Sequence, residues 1–519
     1  MSSVQIRPPR FILFFAMRPL TIGLPMMRSF VVSCLIGLLL LMHAASAAAQ
    51  ATTPPHNIVY VLCDDLGYGD VHCFNPEHGK ILTPNVDALA AQGMMFTDAH
   101  SGSSVCTPTR YGLLTGRYSW RSKLQSGVVQ GYQPCLIDAS RPTVASFLKA
   151  NGYHTAIIGK WHLNFLYNDP VSGKALSPKG LDSPPIGAVI PDGPTTRGFD
   201  VFHGFHHARD IEAVIDQDRV IEHDEDVNML PRLTRRAVDY IDERAKDGKP
   251  FFLYVPLNSP HTPIVPSPQW KGKSGLGDYA DYVMQTDATL GEICNALDRG
   301  GLTDNTIVIF TSDNGCSKAA GIEKLEKQGH LVSGPLRGSK ADIWDGGHRV
   351  PFIVRWPGVT RPGSTSGQVI CHTDLFATVG ELLGLPLPQG CAEDSVSFLP
   401  ALTGKPIVST RSGVIHHSAS GHFAYRSGDY KLLLARGSGG WSSPNENQSR
   451  DALKAQLYDM RSDLGETHNL YLERPEIFRQ LLDQLESDVQ RGRSTDGTDA
   501  HNDLSSDKII LWKSEKPEK

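Results

Sequence analysis

The chain has 519 residues, with 50 Lys and Arg against 55 Asp and Glu, a formal charge of −5, 40% apolar and 20% charged residues. That balance excludes a disordered chain and a basic nucleic-acid binder, and a single strongly apolar run excludes a polytopic membrane protein. The length corresponds to two to four folding units at about 150 residues each.

The apolar run is Phe30 to Met42, which follows Arg28 and leads into Ala45-Ser46-Ala47. A positive flank, a short apolar stretch and an A-x-A site form the pattern of a secretory signal. The run falls short of the ~20 apolar residues that span a bilayer. Met26 or Met27 as the start gives a compact signal. The expectation is a signal region over 1–49, no stable membrane insertion, and a mature protein exported to a periplasm or secreted. Of nine cysteines, Cys34 leaves with the signal. The other eight show neither a C-x-x-C pair nor zinc spacing. Cys371 and Cys391 are one candidate pairing in an exported chain.

From residue 57 short apolar runs alternate with helical stretches. Asn57 to Cys63 reads as a buried strand, Asn85 to Gln92 as a helix and Met94 to Thr97 as a short strand. Pro142 to Ala150 reads as a helix and Thr155 to Ile158 as a strand. Leu230 to Ala245 is helical and Phe251 to Val255 a strand. Asp278 to Leu297 is helical and Thr306 to Thr311 a strand. Val350 to Arg355 is a further strand and Thr373 to Leu383 a further helix. This alternation predicts an α/β sandwich with a large, mostly parallel central sheet flanked by helices. After about residue 405 the rhythm changes. Gly413 to His417, His422 to Arg426 and Tyr430 to Ala435 read as antiparallel strands, and Pro475 to Arg491 as one long helix. The expected units are a main domain over 50–405, a smaller C-terminal α+β subdomain over 406–491, and a polar tail over 492–519, loose or wrapped.

Open α/β sheets carry their sites beyond the carboxyl ends of strands. One strand ends in Asp64-Asp65 and another in Asp313-Asn314. Either pair alone also suits a turn or a cap. Together they supply three carboxylates and an amide oxygen, an all-oxygen set for Ca²⁺ or Mg²⁺ rather than zinc. Cys106-Thr107-Pro108-Thr109-Arg110 then precedes an apolar helical stretch, Tyr111 to Gly116. That places a thiol at a helix N-terminus, where free N–H groups favour an anion, with Arg110 one turn on. A lone cysteine of this kind is more often a buried structural thiol; the whole pattern C-x-P-x-R with G-x-L-x-T-G is more specific.

Cys106 to Gly116 resembles the signature of the type I sulfatases, close to the arylsulfatase A group. The resemblance continues in order through Asp64-Asp65, Gly159-Lys160-Trp161-His162, Ser259-Pro260-His261-Thr262-Pro263 and Ser312-Asp313-Asn314-Gly315. It extends through Leu336 to Lys340, Gly346 to Pro351, and the late Leu457 to Met460 and Asp463 to Leu470, covering about residues 56 to 490. It implies an alkaline-phosphatase-like sandwich whose main unit is the catalytic sulfatase domain.

The resemblance also implies roles. Cys106 is converted by a separate formylglycine-generating enzyme to Cα-formylglycine, whose hydrate attacks sulfur and also touches the metal. The covalent sulfate ester then breaks down as the aldehyde reforms, which is covalent catalysis with a self-regenerating nucleophile. Asp64, Asp65, Asp313 and Asn314, with the modified Cys106, hold one Ca²⁺. Arg110 orients the formylglycine, and Lys160 and Lys340 bind sulfate oxygens. His261, with Lys340, protonates the leaving alcohol, and His162 bonds the formylglycine hydroxyl and assists elimination. Singly, these lysines suit a solvated surface and these histidines a structural role.

His206, His207 and Arg209 are candidate pocket residues, and the loops Tyr167 to Thr196 and Ile211 to Asn228 are candidate specificity loops. Asn447-Gln448-Ser449 is a formal glycosylation site. The expected activity is hydrolysis of sulfate monoesters, on sulfated carbohydrate for an exported enzyme. Two alternatives remain at this stage: a phosphonate or phosphate monoester hydrolase of the same superfamily, and a non-catalytic binder of sulfated glycans. The second would be expected to lose a nucleophile, ligand or cation, and none is missing.

Overall fold

The computed structural model describes residue 16 and residues 56–179, 183–505 and 508–512. The signal segment Phe30 to Met42 lies outside the described residues. Among those described, no helix is long and apolar enough to cross a membrane. The described residues from 56 onward form one unit.

Its elements begin with β1 (Asn57–Cys63), α1 (Pro84–Gln92), β2 (Met94–Phe96), β3 (Ala99–His100), α2 (Cys106–Thr115), α3 (Val144–Ala150) and β4 (His154–Lys160). Next come β5 (Val201–Phe205), β6 (Ala213–Asp216), β7 (Arg219–His223), α4 (Asp226–Arg244), β8 (Phe251–Pro256), α5 (Asp278–Arg299) and β9 (Thr306–Ser312). There follow α6 (Ile322–Lys327), α7 (Asp345–His348), β10 (Phe352–Arg355), β11 (Ser364–Ser366), β12 (Ile370–Cys371), α8 (Leu375–Leu383) and α9 (Leu399–Leu402). The chain closes with β13 (Val414–His417), β14 (Phe423–Ser427), β15 (Tyr430–Leu433), β16 (Gln456–Asp459) and α10 (Pro475–Gln490).

The large sheet has ten strands in the order β11-β2-β10-β9-β1-β8-β4-β5-β6-β7. Its middle, β9-β1-β8-β4-β5, is wholly parallel. These strands are buried on both faces, which is why β1, β8 and β9 read as largely continuous apolar runs. Their side chains alternate between two cores. Ile58, Tyr60 and Leu62 face the core that holds Leu113, Leu114, Phe147 and Phe376 of α2, α3 and α8. Val59, Val61 and Cys63 face the core that holds Leu89, Leu233, Tyr240, Leu290 and Ile293 of α1, α4 and α5.

The periodicity predicted the apolar elements closely and the polar ones poorly. Phe352–Arg355 is a strand as expected, but it runs antiparallel to β9 on one side and β2 on the other. Strands β5, β6 and β7 were not expected. Within Ile211 to Asn228, read as a loop, the chain instead forms the β6–β7 hairpin and the start of α4. Its alternation is broken by His223 and charged residues, so pairing to a neighbouring strand decides it. Helix α4 begins at Asp226, four residues before the expected start, and carries Pro231 inside it, where the missing N–H forfeits one helical bond.

The small sheet is antiparallel, β13-β14-β15-β16, with α10 packed on it through Leu481, Leu485 and Val489. Its fourth strand, Gln456–Asp459, was not expected. All eight described cysteines are free thiols, so Cys371 and Cys391 do not pair. Cys391 Sγ instead points to the Pro388 carbonyl at 3.1 Å. Part of the polar tail folds back onto the molecule. His501 O and Asp503 accept from Arg117, and Asn502 Oδ1 accepts from Arg121.

Arg121 and Asp394, both fully buried, form a two-pronged pair at 2.8 Å, and Asp394 also accepts from the Tyr118 and Ser494 amides. Removing one partner strands the other charge. Arg121→Ala is expected to lower unfolding stability by about 3–5 kcal/mol in urea denaturation; an unchanged midpoint would show that the pair is not what holds the tail.

Candidate active site

Parallel register places the chemistry. Cys63 of β1 lies beside Ser312 of β9, so the next residues, Asp64 and Asp313, leave the sheet side by side. Leu62 pairs with Pro256 of β8, which leads to His261. Lys160 ends β4 opposite Phe205 of β5, which leads to His206 and His207. Every one of these groups therefore sits at the carboxyl edge of the parallel strands.

Cys106 and Arg110 come from α2, whose ten residues are all buried. Val105 is extended and Cys106 is the first helical residue. Pro108 stands in the first turn, where its missing N–H costs no helical bond. The helix stops at Gly116, whose φ of +66° suits glycine and whose N–H closes on Gly112 O at 2.8 Å.

The ten expected site residues converge. Arg110 donates to Asp313 Oδ2 at 2.8 Å and lies 3.5 Å from Asp64 Oδ2. Its other terminal nitrogen holds the Lys160 carbonyl at 3.1 Å. Lys160 Nζ reaches Asp64 Oδ2 at 2.5 Å, and Lys340 Nζ reaches Asp65 Oδ1 at 2.5 Å. The same Lys340 ammonium stands 3.5 Å from Cys106 Sγ. Asn314 Nδ2 donates to Asp65 Oδ1 at 2.8 Å, and the Asp65 amide donates to Asp313 Oδ1 at 3.2 Å. His261 Nε2 lies 3.6 Å from Asp65 Oδ2. Asp65 and His162 both adopt positive φ, +68° and +54°, so local strain is accepted where the functional side chains are aimed.

Burial alone would neutralise this cluster, but the opposite charges hold Asp64 and Lys340 ionised. Burial opposes the charge on Asp64, yet Lys160, His261 and Arg110 outweigh it and hold its carboxyl well below the usual range. Asp313 moves the other way: burial and the adjacent Asp64 push it up, with Arg110 pulling back. Lys340 stays firmly charged despite burial because Asp65 faces it. Cys106 is pushed up to about 12 by burial, against the pull of Lys160 and Lys340. The residue at this helix N-terminus is therefore a neutral thiol at pH 7, and the anion expected there from dipole arguments is not a thiolate.

The donor set fits a hard cation. Asp64 Oδ1 and Asn314 Oδ1 are completely buried and have no hydrogen-bond partner, and an orphaned buried oxygen is costly unless something supplies positive charge. The carboxylates of Asp64, Asp65 and Asp313 crowd one another beside them. Only oxygen donors converge from the two strand ends, the set a hard divalent ion takes.

Hydrogen bonds fix the two histidine tautomers. His162 donates through Nε2 to Val129 O at 3.1 Å, leaving Nδ1 with a lone pair, buried and unpartnered. Burial and Lys160 hold its pKa well below the ordinary value, so it stays neutral. His261 donates through Nδ1 to Thr262 O at 2.6 Å, leaving Nε2 as its exchangeable site. Val129 carried no sequence signal, because it acts through a main-chain carbonyl. The His207 ring stands 4.5 Å from that of His162, and burial with Lys160 lowers its pKa to about 3. His206 is buried and accepts from the Asn164 amide at 3.1 Å, whereas Arg209 is exposed.

A second cluster, His100, His348 and His416, lies below the loop that leads to Cys106. The rings of His348 and His416 stack at 3.9 Å and 11°. Lone pairs lie in ring planes, so two nearly parallel rings share no point at which both could ligate an ion. Burial keeps both neutral, and the cluster is a packed floor.

The fold is an α/β sandwich whose parallel strand ends gather buried carboxylates, two lysines, an arginine and a thiol. The family model described as Sulfatase matches residues 56–385. The chain is 33% identical to an N-acetylgalactosamine-6-O-sulfatase of Bacteroides thetaiotaomicron over 484 residues, covering 83% of this chain and 92% of that protein. It is 32% identical to human arylsulfatase A, covering 82% and 85%. A solved sulfatase structure from work on glycosaminoglycan metabolism by Bacteroides thetaiotaomicron superposes with a TM-score of 0.72 at 30% identity, covering 84% and 99%. The chain belongs to the sulfatase family and is a sulfuric ester hydrolase.

Asp313→Ala is expected to weaken divalent-cation binding, probed with Ca²⁺, by at least roughly tenfold in calorimetric titration, with far-UV circular dichroism unchanged. Unaltered affinity would remove Asp313 from the ligand set.

Proposed function

We propose that this enzyme removes sulfate from sulfated carbohydrate after export, using a formylglycine made from Cys106 by a maturation enzyme and one bound Ca²⁺. The observation that carries this reading is the buried Cys106 thiol at 3.5 Å from Lys340, beside the unmet oxygens of Asp64 and Asn314. A thiol that does not ionise is a poor nucleophile as it stands, whereas conversion supplies a hydrated aldehyde. The comparisons support the substrate class through relatives named for sulfated amino sugars.

Asp64, Asp65, Asp313 and Asn314, with the converted Cys106, would hold the cation, which supplies positive charge to a sulfate oxygen. The chain's own residues do the rest. Lys160 and Lys340, here paired with Asp64 and Asp65, would hold the other sulfate oxygens. Arg110 locks Asp64, Asp313 and the Lys160 carbonyl together and so fixes the nucleophile's surroundings. His261, its Nδ1 committed to Thr262 O, delivers a proton from Nε2 to the leaving alcohol, with Lys340 beside it. His162, its Nε2 committed to Val129 O, offers the Nδ1 lone pair to accept a proton when sulfate is expelled. The site uses ammonium groups where a phosphatase of this superfamily would use a second metal, which favours a sulfate monoester over a phosphate.

The test is the mass of the tryptic peptide Ile81 to Arg110 from protein made with its own maturation system. Conversion replaces one sulfur and two hydrogens by one oxygen; an unmodified thiol in an enzyme active on 4-methylumbelliferyl sulfate would overturn the reading. His261→Ala is expected to reduce kcat about 10²–10⁴-fold on sugar sulfates and far less on activated aryl sulfates, whose leaving groups need no proton. Equal losses on both would argue against the proton-donor role.

A further inference from the structure

One large aromatic side chain at the edge of this site is left uncovered. Trp441 is 45% exposed, the one tryptophan among the exposed large apolar side chains of the described residues. Its backbone is rigidly held. Asp342 Oδ1 accepts from the Trp441 and Ser442 amides at 2.8 and 2.9 Å, and Asp342 Oδ2 accepts from the Ser339 amide at 2.9 Å. The Ile343 amide donates to Ser438 O at 2.7 Å. At Gly440 a Cβ would stand 2.2 Å from Ala341 O, so the loop lies flush on the segment that follows Lys340. A main chain this constrained fixes where the indole is presented.

A cation accompanies it. Lys318 Nζ lies 5.2 Å from the Trp441 ring centroid, and Lys318 is itself exposed. Lys318 belongs to the loop that leaves β9 through Asp313 and Asn314. That loop is tied to the catalytic segment, since the Lys340 amide donates to Cys316 O at 2.9 Å. Indole and ammonium therefore flank the Lys340 segment from two different loops, on the carboxyl-edge side of the sheet.

We infer that Trp441 and Lys318 form a second binding position for a sulfated oligosaccharide, next to the unit that loses its sulfate. A sugar ring presents a C–H face that stacks on indole. A sulfate or carboxylate on that ring meets the Lys318 ammonium, which is long enough to leave the aromatic face and remain at its edge. This rests on the sulfated-carbohydrate reading above. Trp441 and Lys318 act in binding and touch none of the reacting atoms.

The test compares matured wild type, Trp441→Ala, Trp441→Phe and Lys318→Gln on three substrates: 4-methylumbelliferyl sulfate, N-acetylgalactosamine 6-sulfate, and a tetrasaccharide carrying that sugar. Trp441→Ala should raise KM for the tetrasaccharide about tenfold with kcat little changed, and leave the two small substrates within about twofold. Trp441→Phe should recover most of the loss, and Lys318→Gln should flatten the salt dependence of the tetrasaccharide KM. A wild type that gains nothing from the longer glycan, or a Trp441→Ala loss equal on all three substrates, would overturn the inference. A binding readout separates it from the functional reading. In Cys106→Ser protein, the tetrasaccharide should change tryptophan fluorescence, and in Cys106→Ser/Trp441→Phe it should not. That difference, beside a matured wild type that hydrolyses no sulfate ester, would keep the subsite and discard the reaction; no difference would discard the subsite.

Discussion

The constraint on which everything else depends is the register of β1 between β8 and β9. Cys63 stands opposite Ser312 and Leu62 opposite Pro256. A slip by one residue would exchange the two faces of β1, moving Tyr60 and Leu62 out of one core and Val59 and Val61 out of the other. Both faces are buried, so both cores oppose the slip. The same register brings Asp64 next to Asp313 and sends the β8 extension toward His261. The hydrophobic sandwich thus positions the carboxylates without contributing an atom to them.

That placement creates an electrostatic problem which the rest of the site answers. Three carboxylates share a volume with no access to water, and their mutual repulsion appears in the upward push on Asp313. Arg110, Lys160 and Lys340 come from three other elements and each meets one or two of these acids. The arrangement nevertheless leaves Asp64 Oδ1 and Asn314 Oδ1 without partners. A buried polar network that is almost, but not fully, satisfied is poised for a ligand. A divalent cation would complete it and loosen the hold of the lysines, making the same ammonium groups available to an anionic substrate.

Much of this was legible in the sequence because the informative residues sit at element ends. Asp64-Asp65 and Asp313-Asn314 follow uninterrupted apolar runs, so their place at strand termini could be read directly. Cys106, Arg110, Lys160, His162, His261 and Lys340 were found through motifs, and the fold gathers them as that resemblance implied. The parts that were not legible share a physical cause. Strand β10 has the composition of its neighbours, and composition does not encode direction. Strands β5 to β7 contain Gly204, His203 and Arg219, which weaken alternation, so neighbouring strands rather than propensity decide them. Val129 matters through its carbonyl, which every residue has. Asp342 and Trp441 gain significance only when a distant loop is laid on the Lys340 segment.

The small antiparallel sheet is part of the same machinery. Ser104, two residues before Cys106, donates its amide to His417 O of β13, and Ala341, one residue after Lys340, donates to Ser104 O. Lys431 of β15, fully buried, reaches Asp345 at 2.7 Å and Glu466 at 2.8 Å, and Glu466 in turn accepts from the Asp345 amide. The loop before Cys106, the Lys340 segment and α7 are therefore clamped by β13 and β15 through buried bonds, and loss of those to Lys431 would leave charges unpaired. The Lys340 ammonium has to reach both Asp65 and Cys106 from a segment without long regular structure of its own. Rigidity there comes from the second sheet, which explains why a hydrolase with a complete parallel sheet still carries these further strands.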